Sequence, residues 1–426
     1  MIQDTLAVIH SHGRFSGRAG LHRIRALLDA LGNPQQQLKF VHIAGTNGKG
    51  STAAMTANVL EQAGYKTGLF VSPYLVDFRE RIRVNGEYIS ETDLIAVQEK
   101  VTAAEENLTF PDGECIGEFE YTTAMAMVYF ASVHCDIVVL EVGLGGRYDA
   151  TNIIDPPEVC VLTSVSLDHM AVLGNTVEEI AADKCYIIKP GTDVVSYPKQ
   201  TGHVPDVIRA RCEQVGASYR LPSDARILSS DITGSDFVYQ GNPYHVSMIG
   251  AHQVYNAMTA IEVIHVLQEK GYHITQEHIA EGICSTRFDG RLEIVREHPL
   301  TILDGAHNQD GVAALCRVLD ELLYDKRIVM VLGMVSDKAF EDCAAQLSKR
   351  ADMLFAAAPS DNPRALDSAV IAQLASEHCA QVTDCGTLSE AIAQARQCAG
   401  ARDVLLICGS LYLVGEAKKI LDSSTK

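Results

Sequence analysis

Residues 39–52 read Lys39-Phe40-Val41-His42-Ile43-Ala44-Gly45-Thr46-Asn47-Gly48-Lys49-Gly50-Ser51-Thr52, and the chain then runs through a helix-forming stretch to Ala63. Lys39 to Ile43 is a short, largely apolar run that fits a buried strand, and it leads directly into a glycine-rich turn. Ser51 to Ala63 has the composition of a helix, with Gly64 placed to end it. Glycines let the turn aim its backbone N–H groups inward, and the helix N-terminus adds partial positive charge, so the segment suits a phosphate chain. Lys49 is placed to neutralise β- and γ-phosphate charge, and Ser51 to support a metal–phosphate site. The spacing departs from the common Walker A loop. Only Thr46 and Asn47 separate the first two glycines, and Gly50 intervenes before Ser51. A nucleotide site is expected here.

Outward from this loop, strand-like and helix-like segments alternate over the first two hundred residues, the pattern of a largely parallel sheet covered by helices. Lys66–Val71, Asp136–Val142 and Val159–Val165 read as further strands, and Asn85-Gly86 marks a hairpin between Arg81–Val84 and Glu87–Ile89. Residues from about Ala225 to Ile249 look like an antiparallel insertion, followed by a long amphipathic helix over Ala251–Lys270. A second αβ pattern begins near Leu300, with strands expected at Thr301–Leu303, Ile328–Leu332, Met353–Ala357 and Val404–Cys408. The charged, proline-containing stretch Glu297–Pro299 suggests the break. The expected architecture is α/β: an N-terminal P-loop domain over residues 1–296, and a smaller Rossmann-like domain over 297–426.

Composition narrows the class. At 426 residues, two domains are the prior; 47% hydrophobic and 21% charged residues suit a chain with a large core. No apolar run is long enough to span a membrane, and Met1–Phe15 is interrupted by Asp4, His10 and His12, unlike a signal peptide. Twelve cysteines without a C-x-x-C pair fit reduced thiols of a cytoplasmic protein. A net charge of −19 argues against nucleic acid as a partner, so an anionic substrate needs a local cationic patch. Arg79, Arg81, Arg83 and Arg147 are candidates for it, although an alternating arginine run also fits a solvated strand face.

Three clusters stand where phosphoryl-transfer chemistry needs them. Glu141 ends an apolar strand before Val142-Gly143-Leu144-Gly145-Gly146-Arg147, and a carboxylate at that edge suits Mg²⁺. Asp168-His169 follows another strand, and Lys184 lies early in a helix. Each taken alone has a bland reading: a solvated strand end, a structural histidine, a surface lysine.

The string His42 to Ser51 resembles the phosphate loop of the folylpolyglutamate synthase/dihydrofolate synthase family of the Mur ligase superfamily. Ser72-Pro73-Tyr74-Leu75 with Glu80-Arg81-Ile82, Glu141–Asn152, Thr163–Lys189, Gly250–Ala257, Gly290–Glu293, Asp304–Asn308 and Gly409–Tyr412 resemble its later motifs in order. Gln309 and the pair Phe288-Asp289 depart from residues usual in that family.

The resemblance implies an ATP-dependent ligase that adds glutamate to tetrahydrofolate, with dihydropteroate as a further acceptor, through an acyl phosphate. It implies that Thr46, Asn47, Gly48, Lys49, Gly50 and Ser51 hold phosphates, and that Asn256, Arg291 and Asp304 contact ATP with His307 nearby. It implies Ser72, Glu141 and His169 as ligands of Mg²⁺ at two sites, with Lys184 carbamylated to a carboxylate-like ligand. Catalytic roles fall to Lys49, Lys184, His169 and His307, and the pterin side to Ala19, Gly20, Phe119, Asp149 and Ala150. A monomer is expected, with folate or dihydropteroate and L-glutamate as substrates and no membrane partner. Two other readings compete: a Mur-like ligase acting on another carboxylate, and, from a different class, a P-loop NTPase switch or small-molecule kinase. The separate C-terminal motif Asp304–Asn308 speaks against the last.

Overall fold

Apolar runs flanked by glycine turns build the centre of the first sheet, which the computed structural model describes along with the rest of residues 2–13, 18–336, 340–360 and 362–423. Its strands are Phe40–Ala44 (β1), Thr67–Phe70 (β2), Ile82–Val84 (β3), Glu87–Tyr88 (β4), Ile137–Glu141 (β5), Val159–Leu162 (β6), Asp193–Ser196 (β7) and Ser218–Arg220 (β8). They lie in the order β4-β3-β2-β5-β1-β6-β7-β8. Every residue of β1, β5 and β6 is buried, as expected of strands covered on both faces. β2, β5, β1, β6, β7 and β8 pair in parallel. β3 and β4 add an antiparallel hairpin through Asn85 and Gly86, both with positive φ, the conformation that a two-residue turn of this kind requires.

β1 stands between β5 and β6, so the loops leaving all three strands emerge at one edge of the sheet, beside a reversal in strand order. Open α/β sheets place ligands at such a point. The helix Lys49–Gln62 starts there, immediately after the glycine turn.

Arg226–Asp231 (β9), Gly234–Tyr239 (β10) and Asn242–Val246 (β11) form a separate three-stranded sheet in the order β11-β10-β9, followed by the helix Ala251–Glu269. The remaining strands are Glu293–Glu297 (β12), Leu300–Asp304 (β13), Ile328–Leu332 (β14), Met353–Ala358 (β15), Val382–Thr387 (β16) and Val404–Cys408 (β17). They form a six-stranded sheet, β12-β13-β17-β14-β15-β16, parallel except for β12.

The α/β class with a second C-terminal α/β layer is thus present, and the chain divides into two compact units. One comprises the chain up to Arg226 with Phe237–His245 and Tyr255–Thr286; the other holds Ile227–Asp236, Val246–Val254 and the chain from Arg287 on. The junction suggested by sequence at 296/297 falls inside the β12–β13 hairpin, because the charged strand β12 already belongs to the second sheet. β7, β8, β12 and β16 carry no sequence signal strong enough to name them. No helix among the described residues is long and apolar enough to cross a membrane, and all twelve cysteines are free thiols, eight of them buried.

Candidate active site

The glycine turn after β1 is tied to the turn after β6. Thr46 N and Asn47 N both donate to Ser164 O, at 2.7 and 3.2 Å. Thr46 Oγ1 donates to Ser166 O at 3.2 Å and accepts from Ser166 N at 3.1 Å. Gly48 has φ 83°, and a Cβ there would stand 2.5 Å from Asn256 Oδ1. The position therefore needs glycine twice over, for its backbone and for the close approach of Asn256. Lys49 Nζ donates to Thr46 O at 3.2 Å and lies 4.0 Å from Glu141 Oε1. Ser51 is buried on the first turn of the helix.

Glu141, at the end of β5, is 4% exposed. Its Oε2 accepts the backbone N–H of Ser72 at 3.1 Å, which brings together two of the residues expected around a metal. Among the described residues no group of three or more His, Cys, Asp or Glu side chains gathers as a ligand cage. One buried carboxylate beside a hydroxyl-bearing residue and a phosphate loop fits Mg²⁺, which keeps waters and substrate phosphates as most of its ligands. His169 is half exposed, in the left-handed region at φ 50°, with Nε2 3.8 Å from Asp168 Oδ1.

Lys184 is not a surface lysine. It is buried, and its Nζ donates to Gly45 O at 2.8 Å, at the start of the glycine turn. Burial, reinforced by the like charge of Lys49, lowers its pKa to about 7. The sequence signal for this was only the family motif; no periodicity marks the side chain as buried.

Of the residues expected on the pterin side, Phe119 packs against Gly143, where a Cβ would stand 2.5 Å from its ring. Asp149 is buried and already committed to its own loop. Its Oδ2 accepts from Leu144 N at 2.9 Å, and Oδ1 from Thr151 N at 3.0 Å and from the Thr151 hydroxyl. Burial pushes its carboxyl up, against these donors. Ala150 is buried beside it, whereas Ala19 is exposed and Gly20 half-buried, ahead of the helix His22–Ala30. Sequence reasoning missed Thr151, which also bonds His42 Nε2 at 2.9 Å.

In the second unit, Asp304 ends β13 and is buried; Oδ1 accepts from Ala306 N and Oδ2 from Leu292 N, each at 2.9 Å. Burial pushes its carboxyl up, opposed first by the Arg291 guanidinium. His307 Nδ1 donates to Gly305 O at 2.9 Å. A Cβ on Gly305 would stand 3.2 Å from Arg291 Nη1, so Arg291, Asp304 and His307 form one group within that unit.

A phosphate loop, a buried strand-end carboxylate and a second α/β unit with its own polar cluster define an ATP-dependent ligase of the Mur type. The Mur ligase middle domain model matches residues 43–264, and the Mur ligase glutamate ligase domain model residues 290–411. The chain is 35% identical over 432 residues to a dihydrofolate synthase/folylpolyglutamate synthase of Bacillus subtilis (strain 168), covering 98% of this chain and 99% of that one. It is 35% identical over 436 residues to a folylpolyglutamate synthase of Lacticaseibacillus casei, covering 98% of each. The structure of E. coli FolC in complex with DHPP and ADP superposes with a TM-score of 0.88 at 28% identity, over 100% of this chain and 98% of that one. An FPGS-AMPPCP-folate complex gives 0.86 at 32% identity, over 99% of each chain. The chain belongs to the folylpolyglutamate synthase/dihydrofolate synthase family.

Proposed function

We propose that this chain is an ATP-dependent ligase that joins L-glutamate to the carboxylate of a folate-type acceptor, extending tetrahydrofolate and also accepting dihydropteroate. The observation that carries the reading is the cluster at the sheet edge, where Lys49, Glu141 and Lys184 converge on the turn Gly45–Lys49. The Bacillus subtilis relative, matched over nearly its whole length, carries both activities in its name, and the Lacticaseibacillus casei relative carries the folylpolyglutamate synthase activity alone.

A carboxylate is a poor electrophile, so it is first phosphorylated by ATP, and the glutamate amine then displaces phosphate from the acyl phosphate. Lys49 and the N–H groups of Gly48 to Gly50, where the helix begins, stabilise the charge that develops during transfer, while the N–H groups of Thr46 and Asn47 hold the turn to Ser164 O. Asn256, resting on Gly48, orients the loop and the nucleotide; by the family resemblance Arg291 and Asp304 contact ATP, with His307 beside them. Ser72, Glu141 and His169 would hold Mg²⁺, which supplies charge neutralisation on the phosphates. Lys184, with its amine held near neutrality, is suited to carbamylation by CO₂, which requires the unprotonated amine and yields an anionic oxygen donor. Phe119, Asp149 and Ala150 shape the acceptor side, together with Ala19 and Gly20.

The test is direct. Purified chain is supplied with ATP, Mg²⁺, glutamate and either tetrahydrofolate or dihydropteroate, and products are weighed by mass spectrometry. Gain of one glutamyl group by an acceptor, with phosphate released only when acceptor and glutamate are both present, is the expected result. Phosphate release without either co-substrate points instead to a plain NTPase.

A further inference from the structure

Glutamyl substrates carry several carboxylates, and a chain of net charge −19 must meet them with cations that its own acids have not neutralised. Among the four arginines that the sequence offers, three are committed. Arg79 forks onto Asp77, with Nη2 2.6 Å from Oδ2. Arg81 is buried, over the rings of Tyr74 and Phe78 and 3.7 Å from Glu118. Arg83 donates to Glu80 O at 3.0 Å and lies over Tyr88.

Arg147 differs. It is exposed, and its guanidinium lies over two rings, 5.0 Å from the centroid of Tyr148 and 4.6 Å from that of Tyr186. Arg211 lies over the same Tyr186 ring at 5.1 Å. Among the described residues no carboxylate pairs with Arg147 or Arg211. Stacking occupies the face of a guanidinium and leaves the N–H edge available, so Arg147 is held in place with its fork unused. Arg211 spends Nη1 on Gln214 Oε1 and Nη2 on Ile188 O, so it contributes charge rather than a fork.

The stack is braced and well placed. Asn152 Nδ2 donates to both Arg147 O and Tyr186 O, at 3.4 and 3.3 Å, and so joins the two segments that carry it. Gly146, next to Arg147, is packed against the backbone of Asp183 and Lys184; a Cβ there would meet Lys184 O at 2.7 Å. Tyr186 follows Lys184 by two residues. The free fork therefore lies beside the turn that carries the buried lysine.

We infer that the Arg147–Tyr186–Arg211 stack is a carboxylate-binding subsite for a glutamyl group, with Arg147 making the bidentate contact. This rests on the ligase reading above. The ligand chemistry is the same for the glutamyl tail of an acceptor and for the incoming amino acid, and the experiment separates them. KM and kcat are measured for wild type, R147A, R147K and Y186L with a tri-γ-glutamyl folate, with a monoglutamyl folate and with free glutamate as the varied substrate; dihydropteroate, which has no glutamyl group, is the control. One lost charge-assisted fork should raise a KM by about tenfold or more in R147A. R147K recovers only part of this, because an ammonium cannot fork a carboxylate, and Y186L shifts KM in the same direction as R147A. A rise confined to the triglutamyl acceptor assigns the stack to the tail, and a rise for glutamate assigns it to the incoming amino acid. Unchanged KM for all three glutamyl substrates in folded R147A, or a fall in kcat alone, overturns the subsite. If wild type ligates no acceptor, the ligase reading fails instead. The subsite is then judged by calorimetric binding of tri-γ-glutamate, and equal affinity of wild type and R147A overturns it.

Discussion

Lys49 stands 4.0 Å from Glu141 and reaches back to Thr46 O, so its ammonium is fixed over the glycine turn before any phosphate arrives. Lys49→Ala should lower kcat by about a hundredfold or more, the usual scale for losing one fixed charge-stabilising group in phosphoryl or acyl transfer. The helix it begins should keep its melting temperature, since the side chain caps nothing. Steady-state rates and a thermal melt check this together, and a folded variant with near-normal kcat would show that the lysine has another role. Lys184 is the sharper case. With its pKa lowered to about 7, a large share of the amine is neutral at physiological pH and open to CO₂. Lys184→Ala should be nearly inactive, and short carboxylic acids should restore part of its activity by supplying an oxygen donor in the vacated space. A fully active alanine variant, or none of the tested acids giving rescue, counts against carbamylation. At this scale the sequence reveals the loop, because glycine, lysine and serine spacing encodes it directly. It does not reveal that Asp149 is consumed by Leu144 and Thr151, or that Asn256 rests on Gly48, because those partners are brought together only by the folded loops and helices.

Strands β1, β5 and β6 were legible because burial on both faces demands continuous apolar runs, and runs that short do not make a buried helix. β16 (Val382–Thr387) and β12 were not, for the converse reason. They stand at sheet edges, keep polar side chains in partly exposed positions, and read as loop. His42 is the polar exception inside β1. It is fully buried, its Nε2 meets Thr151 Oγ1 at 2.9 Å, and Nδ1 has no hydrogen-bond partner among the described residues. Because the Thr151 hydroxyl donates to Asp149, His42 must be the donor to Thr151, and the ring is neutral with its proton on Nε2. Burial, helped by the charge of Lys189, lowers its pKa to about 3. The sign follows from linkage: the unfolded chain takes up a proton near pH 6.5 and the folded chain does not. Stability is therefore unaffected above that pH and is lost as pH falls from 6.5 toward 3, by about 2 kcal/mol at pH 5. In His42→Gln this component of the acid slope should disappear, so the stability difference between variant and wild type narrows as pH falls from 7.5 to 5. Urea titrations at several pH values measure it, and a difference constant with pH would mean that His42 titrates normally in the fold.

Across the whole molecule, the two-layer plan was visible because each half repeats an αβ alternation, but the passage between the halves was not. Five crossings of the chain, at 226/227, 236/237, 245/246, 254/255 and 286/287, mark the units, and none carries a proline- or glycine-rich linker long enough to announce itself. The charged stretch near Pro299 resembles a linker because hairpin turns and linkers share composition. The physical boundary precedes it. Leu292 is 3% exposed and packs in the same core as Ile302, Val312 and Leu332, and β12 completes the edge of β13. Lys418 reinforces that attachment from the last helix, with Nζ 2.7 Å from Asp289 and 2.6 Å from Glu293. Leu292→Ala should accordingly remove about 2–5 kcal/mol from the second unit, the range for truncating a buried leucine. The loss should register by hydrogen exchange as faster labelling of peptides from β13, β14 and β17. Peptides from β1, β5 and β6, whose cores contain no part of the Leu292 cluster, should keep their protection. If residues up to 296 belonged instead to the first unit, the pattern would reverse, and protection would fall around the phosphate loop while β14 and β17 stayed unchanged.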